Sequence, residues 1–183
     1  MDESIDRFLR TVDELDAIDV LINNAAENKI NHIEDISLED WDRLNSINLR
    51  GPFLLTKAVA KVMKQRKQGK IINIASIFGV VSKEKRAAYS STKSGLIGFT
   101  KAVALDLAPF NVQVNSISPG FVDTDLTRQI LGTRGIRDLT DRIPQKRLAD
   151  PGEISNVVMF VASSMNTYLT GQNIVVDGGF TSV

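Results

Sequence analysis

Tyr89 and Lys93 stand four residues apart in a stretch with helical patterning, so one helix face carries both side chains. A phenol beside an ammonium can exchange a proton with a substrate oxygen. The cation must first favour the phenolate, because a free phenol titrates near pH ~10. Alone, such a pair is usually an ordinary surface contact. Ser76 changes its company. It lies 13 residues upstream of Tyr89, at the C-terminal end of an apolar run, the edge at which open α/β sheets bind ligands. Asn48 adds an amide further upstream, within Asn48-Leu49-Arg50-Gly51.

The elements that must position these groups alternate along the chain. Ile5, Phe8, Leu9, Val12 and Leu15 recur at helical spacing behind the acidic Asp2 and Glu3. Asp19–Ala26 reads as a short buried strand. Ser37–Lys67 opens with a capping-box-like Ser-Leu-Glu-Asp and continues as one long helix, which Gly69 ends. Lys70–Ser76 is the next strand, Ala88–Ala108 the next helix, closed by Pro109, and Val112–Ile117 the strand after it. Phe121–Arg147 is mixed and holds two short helices. A last helix starts at Asp150-Pro151-Gly152-Glu153 and runs to about Met165, with Pro151 in its first turn. Asn173–Asp177 is a final strand. Short, continuous, apolar strands between helices predict an α/β fold with a parallel sheet covered on both faces. No repeat or linker interrupts residues 1–183, which read as a single domain.

Composition removes several classes of function. Lys+Arg and Asp+Glu both number 22, a balance that gives no electrostatic case for nucleic acid or an anionic membrane as partner. The basic runs Lys61–Lys70 and Lys83–Arg86 read as solvated faces. No cysteine is present, so disulfides and thiolate chemistry drop out. His32 is the only histidine and lies in a polar stretch, so it is expected at the surface and no metal site is expected. No apolar run reaches the roughly 18 residues of a membrane span, and the expected location is cytoplasmic.

Four further segments fall in register with the Tyr–Lys pair. Tyr89-Ser90-Ser91-Thr92-Lys93 is similar to the YxxxK motif of the short-chain dehydrogenase/reductase family, and Asn23-Asn24-Ala25-Ala26 to its NNAG. Pro119-Gly120-Phe121-Val122-Asp123-Thr124 is similar to its PG-x-V-x-T segment, and Val176-Asp177-Gly178-Gly179 to its VDGG close. From Asp19 to Gly179 the chain therefore resembles this family, nearest in flavour to ketoacyl-carrier-protein reductases and sugar or polyol dehydrogenases. The resemblance implies a Rossmann-like fold and hydride transfer between NAD or NADP and a small alcohol or ketone. It makes Tyr89 the acid, Ser76 the group that polarises the substrate oxygen, and Lys93 the residue that lowers the phenol's pKa and bonds the nicotinamide ribose. Asn48 would keep a relay water behind Lys93. Asn24, Ala25 and Ala26 would lie along the adenosine side of the cofactor, and Pro119, Gly120, Val122 and Thr124 along the nicotinamide end. Ala26 departs from the family's glycine by one methyl, and tolerance is expected. Asp177-Gly178-Gly179 reads as a structural turn, and Gly95 and Gly98 as packing positions in the Tyr89 helix.

The family's opening strand, TGxxxGxG turn and helix, whose N–H groups face the pyrophosphate, have no counterpart in these 183 residues. Measured against the family, three strands and two helices are missing, about 70 residues at some 30 or more per βαβ unit. A shortened product is the expectation, with weak or absent cofactor binding and an unpaired edge on Asp19–Ala26. A non-catalytic fragment or oligomerisation module is the competing expectation, because the helices of Asn48 and Tyr89 pair in the family's homodimers and homotetramers. In the segment that lids the family's substrate pocket, Leu126, Ile130 and Leu131 stand beside Arg128, Arg134 and Arg137. Those arginines suit an anionic or sugar-like substrate, or else they are surface residues.

Overall fold

β-Branched and apolar residues dominate the strands, and these align in one parallel sheet. The computed structural model describes residues 7–8, 10–12 and 15–182, with Leu126 and Ile130 described in their backbone only. Strand β1 (Val20–Asn23) pairs with β2 (Gly69–Ile74), β2 with β3 (Val112–Pro119), and β3 with β4 (Asn173–Val176), all parallel and in that order. The register sets Asn23 beside Asn73 and Asn73 beside Ser116, so the sheet carries a polar row near its C-terminal end.

Helices cover both faces, as the alternating pattern requires. Helices α2 (Gly51–Arg66) and α3 (Ala87–Leu107) flank one face, over a core that includes Val59, Met63, Ile71, Ala104, Val112 and Val114. Helix α5 (Pro151–Ala162) closes the other face with Val161 against Ile72 and Ile117. Of the opening amphipathic pattern, Arg7, Phe8 and Arg10–Val12 are helical and Val12 is buried in the first core. Ile5 and Leu9 lie outside the described residues, and Leu15 is exposed beyond the helical residues.

The helix expected to run unbroken over Ser37–Lys67 does not. It begins as α1 (Leu38–Asn45), with Ser37 Oγ accepting from Asp40 N–H at 3.0 Å, widens to a π-turn over Ser46–Arg50, and resumes as α2. A π-turn inserts one residue into the ladder and rotates the later turns of the helix about its axis; here it centres on Asn48. The stop also differs. Lys67 adopts a left-handed conformation (φ 53°) and closes α2, while Gly69 already belongs to β2. Gly69 has a packing role instead, since a Cβ there would lie 2.4 Å from Met63 Sδ.

The mixed stretch resolves as α4 (Asp125–Thr140), which is two short helical pieces joined at Gly132 (φ 60°, ψ 178°). Helix α5 starts on a capping box in which Asp150 and Glu153 satisfy each other's backbone N–H groups. No helix among the described residues is long and apolar enough to cross a membrane. His32 is exposed as expected, and the described residues hold no cluster of potential metal ligands.

Candidate active site

Strand β2 ends at Ile74, and the two residues beyond it turn the chain across the C-terminal edge of the sheet. Ser76 caps a short 3-10 turn there, its Oγ accepting from Phe78 N–H at 3.1 Å. That bond leaves the Ser76 hydroxyl proton free to point elsewhere, into the cavity that Ser76 and Tyr89 both line. Tyr89 sits in the first turn of α3 and Lys93 one turn further on. Lys93 is almost fully buried, 2% exposed, and its Nζ donates to the Ile74 carbonyl at 2.7 Å. The same nitrogen lies 5.8 Å from the Tyr89 ring centroid. The structure thus brings Ser76, Tyr89 and Lys93 to one strand end.

The electrostatics differ from the sequence expectation in one respect. Lys93 was expected to draw the phenol's pKa down; instead burial pushes Tyr89 up, and the opposing pulls come from the Ser76 hydrogen bond and the Arg86 charge. Lys93 is itself desolvated, and burial lowers its own pKa to about 8.

Asn48 is 1% exposed and stands behind α3. Its Oδ1 accepts from Glu27 N–H at 2.8 Å, and its Nδ2 donates to the Glu27 carbonyl at 2.8 Å and to Thr92 Oγ1 at 3.1 Å. Its side chain pins the loop after β1 to the helix that carries Tyr89. Both amide hydrogens are committed, so a relay water at Asn48 would be held through a carbonyl oxygen.

Two spaces open along this edge. A cavity of about 420 Å³ is lined by Ser76, Tyr89, Gly120, Phe121 and Val122, with Leu131 and Leu139 of α4 on its far wall. A crevice of about 570 Å³ runs across the strand ends, between Asn24, Ile74, Pro119, Val122 and Thr124 and residues of α5. Val122 borders both. A parallel bridge between Val122 and Ala149 fixes this segment, with Asp123 N–H bonded to the Ala149 carbonyl at 2.8 Å. Thr124 caps α4 through Thr127 N–H at 3.2 Å. Gly120 has a structural reason to be glycine: a Cβ would stand 2.7 Å from Asp177 Cα. The Asp177-Gly178-Gly179 turn is structural as expected, Asp177 accepting from Gly179 N–H, Thr181 N–H and the Thr181 hydroxyl at 2.7–2.9 Å.

Asn24 reaches the crevice, whereas Ala25 and Ala26 are exposed beside it and line neither space. Asn23, which had no expected role, is the buried member of that motif. Its Nδ2 donates to Asn73 Oδ1 at 2.8 Å and to Thr56 Oγ1 at 3.3 Å. Of the two helical glycines, Gly95 packs on Leu49, but Gly98 faces open space.

The arginines singled out from the sequence are not the ones that face the cavity. Arg128 is held by Asp123 through two bonds of 2.7 and 2.9 Å, and Arg134 and Arg137 are exposed and away from the lining. Arg86, Lys83 and Arg142 line it instead. The Lys83–Arg86 run was expected to be solvated throughout, yet Arg86 Nε and Nη1 are buried without a hydrogen-bond partner, and its guanidinium lies 5.3 Å from the Phe78 ring centroid. Its spacing of three residues from Tyr89 was the available signal. Lys70 is the other exception among the basic runs, donating to Gln113 Oε1 and to the Asn166 carbonyl between strand and helix end.

The crevice tests what the strand edge could hold. Apolar walls at Ile74, Pro119 and Val122 with polar ends at Asn24 and Thr124 suit a flat, partly polar ring such as nicotinamide. A glycine-rich turn for a pyrophosphate is not part of the sequence.

Known proteins share this arrangement. The family model described as enoyl-(acyl carrier protein) reductase matches residues 1–181. A cyclopentanol dehydrogenase of Comamonas testosteroni is 42% identical over 170 residues, 92% of this chain and 68% of that protein. A 3-oxoacyl-[acyl-carrier-protein] reductase of Aquifex aeolicus is 40% identical over 179 residues, 97% of this chain and 72% of the relative. Among solved structures, a gluconate 5-dehydrogenase from Burkholderia cenocepacia, in complex with NADP and tartrate, superposes with a TM-score of 0.91 at 33% identity. That match covers 96% of this chain and 71% of the other. Sheet order, the grouping of Ser76 with Tyr89 and Lys93, and identity sustained over nearly the whole chain converge: this protein belongs to the short-chain dehydrogenase/reductase family.

Proposed function

We propose that this chain is a nicotinamide-dependent oxidoreductase interconverting a small secondary alcohol and its ketone, with Tyr89 as the proton donor and acceptor. The observation that carries this reading is the convergence of Tyr89 and Ser76 on one cavity that meets the strand-end crevice at Val122. A bound nicotinamide supplies the hydride donor or acceptor, which no side chain can be. Asn24, Pro119, Val122 and Thr124 would hold it, and Lys93 would face its ribose from behind Ile74.

In reduction, Ser76 donates a hydrogen bond to the substrate carbonyl oxygen, and Tyr89 gives that oxygen its proton. The raised pKa of the phenol keeps the proton in place at neutral pH, which suits the acid role. In oxidation the phenolate takes the hydroxyl proton, so that direction gains with rising pH. Asn48, through Glu27 and Thr92, is a positioning residue that holds α3 against the loop after β1.

In this reading the crevice residues contact the nicotinamide half of the dinucleotide. Titration with NADH and NADPH, followed by fluorescence or calorimetry, tests this and chooses between the two. Submillimolar binding of either supports the reading, and no detectable binding of both sinks it for this chain.

A second copy of the chain is the proposed partner. A groove of about 880 Å³ runs between α3 and the end of α1 with its π-turn, with Leu49, Phe53, Gly95 and Phe99 among its walls. Phe53 is 46% exposed and Leu105 79%. Gly98, with nothing within 4 Å of its would-be Cβ, leaves room there for an approaching helix. Sedimentation should give a dimer or tetramer, and Gly98→Leu should shift it toward monomer.

A further inference from the structure

Four arginines form ion pairs, and of the other described arginines Arg86 alone has buried donors without a partner. Arg43 pairs with Glu27, Arg66 with Asp19, Arg128 with Asp123 and Arg147 with Glu153, each at 2.6–2.9 Å. Arg86 is the contrast. Its Nε and Nη1 are buried with no hydrogen-bond partner, and among the described residues no carboxylate forms an ion pair with it. The placement is unfavourable twice over. A guanidinium cannot escape burial by losing its proton, and Arg86 occupies the N-cap of α3, where the helix dipole is already positive. Stacking on Phe78 orients the group without neutralising it.

From these observations we infer that Arg86 is a substrate-specificity residue that takes a carboxylate, so that the preferred substrates are short hydroxy acids and the matching oxo acids. A carboxylate entering the cavity that Arg86 lines would supply the missing counter-charge and an acceptor for a guanidinium nitrogen once the side chain turns toward it. Arg86 precedes Tyr89 by three residues on the same side of α3 and lines the same cavity. An acid group bound there leaves a carbinol carbon a few bonds away to face Tyr89 and Ser76. Lys83 and Arg142 add positive charge around the cavity, against one lining carboxylate, Asp138. The inference deepens the oxidoreductase reading and rests on it for the position of the reacting carbon.

Two measurements keep the two ideas separable. The first needs no turnover: titrate the chain with malate and with malamide, its diamide, with and without NADH or NADPH, by calorimetry. Malate should bind at least tenfold tighter than the diamide, and Arg86→Gln should abolish that preference while Arg86→Lys retains part of it. A thermal midpoint for Arg86→Gln at or above the parent's shows that the variant is folded. Equal binding of acid and diamide, unchanged binding in Arg86→Gln, or no malate binding in any condition overturns the inference. The second compares kcat/KM for a hydroxy acid and its methyl ester. The acid-to-ester ratio should fall at least tenfold in Arg86→Gln, chiefly through KM for the acid. Turnover of the ester without preference for the acid would refute the carboxylate role and leave the oxidoreductase reading standing. Arg86-dependent binding of malate with no turnover of any alcohol would do the reverse.

Discussion

The two sides of the C-terminal sheet edge treat their polar groups in opposite ways. Toward α2 and α3, the polar groups largely satisfy one another, with Asn23 Oδ1 the one buried side-chain atom there that has no partner among the described residues. Asn23 donates to Asn73, Asn73 to Thr100, Thr100 to the Leu96 carbonyl, and Asn48 closes on Glu27 and Thr92. Toward the cavity, the polar groups have capacity to spare. Ser76 keeps a free hydroxyl proton, Lys93 makes one bond to protein, and Arg86 has two buried donors unmatched. A network that completes its own hydrogen bonds fixes the backbone. One that does not is open to a ligand, at a cost in stability. The first region is scaffold and the second is available for chemistry.

If that division is right, removing a polar group from the cavity should cost activity and little stability, while removal from the closed network should do the opposite. Tyr89→Phe is the largest test. It is expected to lower turnover by ~10²–10⁴-fold, the usual worth of a positioned general acid, with the NAD(P)H dissociation constant close to the parent's. Steady-state rates and a cofactor titration on one preparation check both halves, and retained turnover would remove Tyr89 from the acid role.

Lys93 gives the next effect, in pH rather than rate. Folding lowers its pKa from the ordinary 10.5 to about 8. Between those values the unfolded chain binds more protons than the folded one, so stability should rise with pH across that window. The full rise is on the order of 3 kcal/mol, taking ~1.4 kcal/mol per pKa unit. Urea midpoints at pH 7.5, 9 and 10 would show it in the parent. Lys93→Met should flatten that segment, and an unchanged slope in the variant would mean that Lys93 is charged in the fold at pH 9.

Much of this division was legible in the sequence, and the exceptions have physical causes. The parallel α/β sheet followed from strand pattern alone, because the central strands β2 and β3 are buried on both faces and leave no alternation to misread. Ser76, Tyr89 and Lys93 could be grouped because two are helix neighbours and the third ends a strand. The π-turn at Asn48 was missed although Pro52, with no N–H for the Asn48 carbonyl, marks the break, while the bonds of the Asn48 side chain to Glu27 are tertiary and left no sequence signal. Arg86 was missed for the converse reason. A charge in a basic run is usually solvated, and only the fold reveals that Phe78 lies beneath it. The same holds for Arg128, whose partner Asp123 lies five residues back in a segment expected to face the cofactor.

Within the closed network, Asn48→Ala should cost roughly 2–3 kcal/mol, because it strands the buried Thr92 contact and both Glu27 backbone groups at once. The circular-dichroism melt should fall accordingly, and any loss of rate should appear without a change in the pH profile.

Thr100→Val is the smallest change and the most discriminating. Valine keeps the shape of threonine and removes only the hydroxyl, which accepts from Asn73 Nδ2 at 2.9 Å and donates to the Leu96 carbonyl at 2.8 Å. Asn73 would be left with an unmet buried donor, a loss of about 1–2 kcal/mol, while the added methyl recovers part of that through burial. A net fall of about 1 kcal/mol is therefore expected in urea unfolding, with kcat/KM unchanged because Thr100 lies about three helical turns beyond Tyr89. Arg86→Gln, similar in chemistry but on the other side of the division, should show the opposite signs: stability held or raised, and acid binding lost. If both variants lose stability to the same degree, the unmatched donors of Arg86 are not a cost to the fold, and the contrast between the two regions fails.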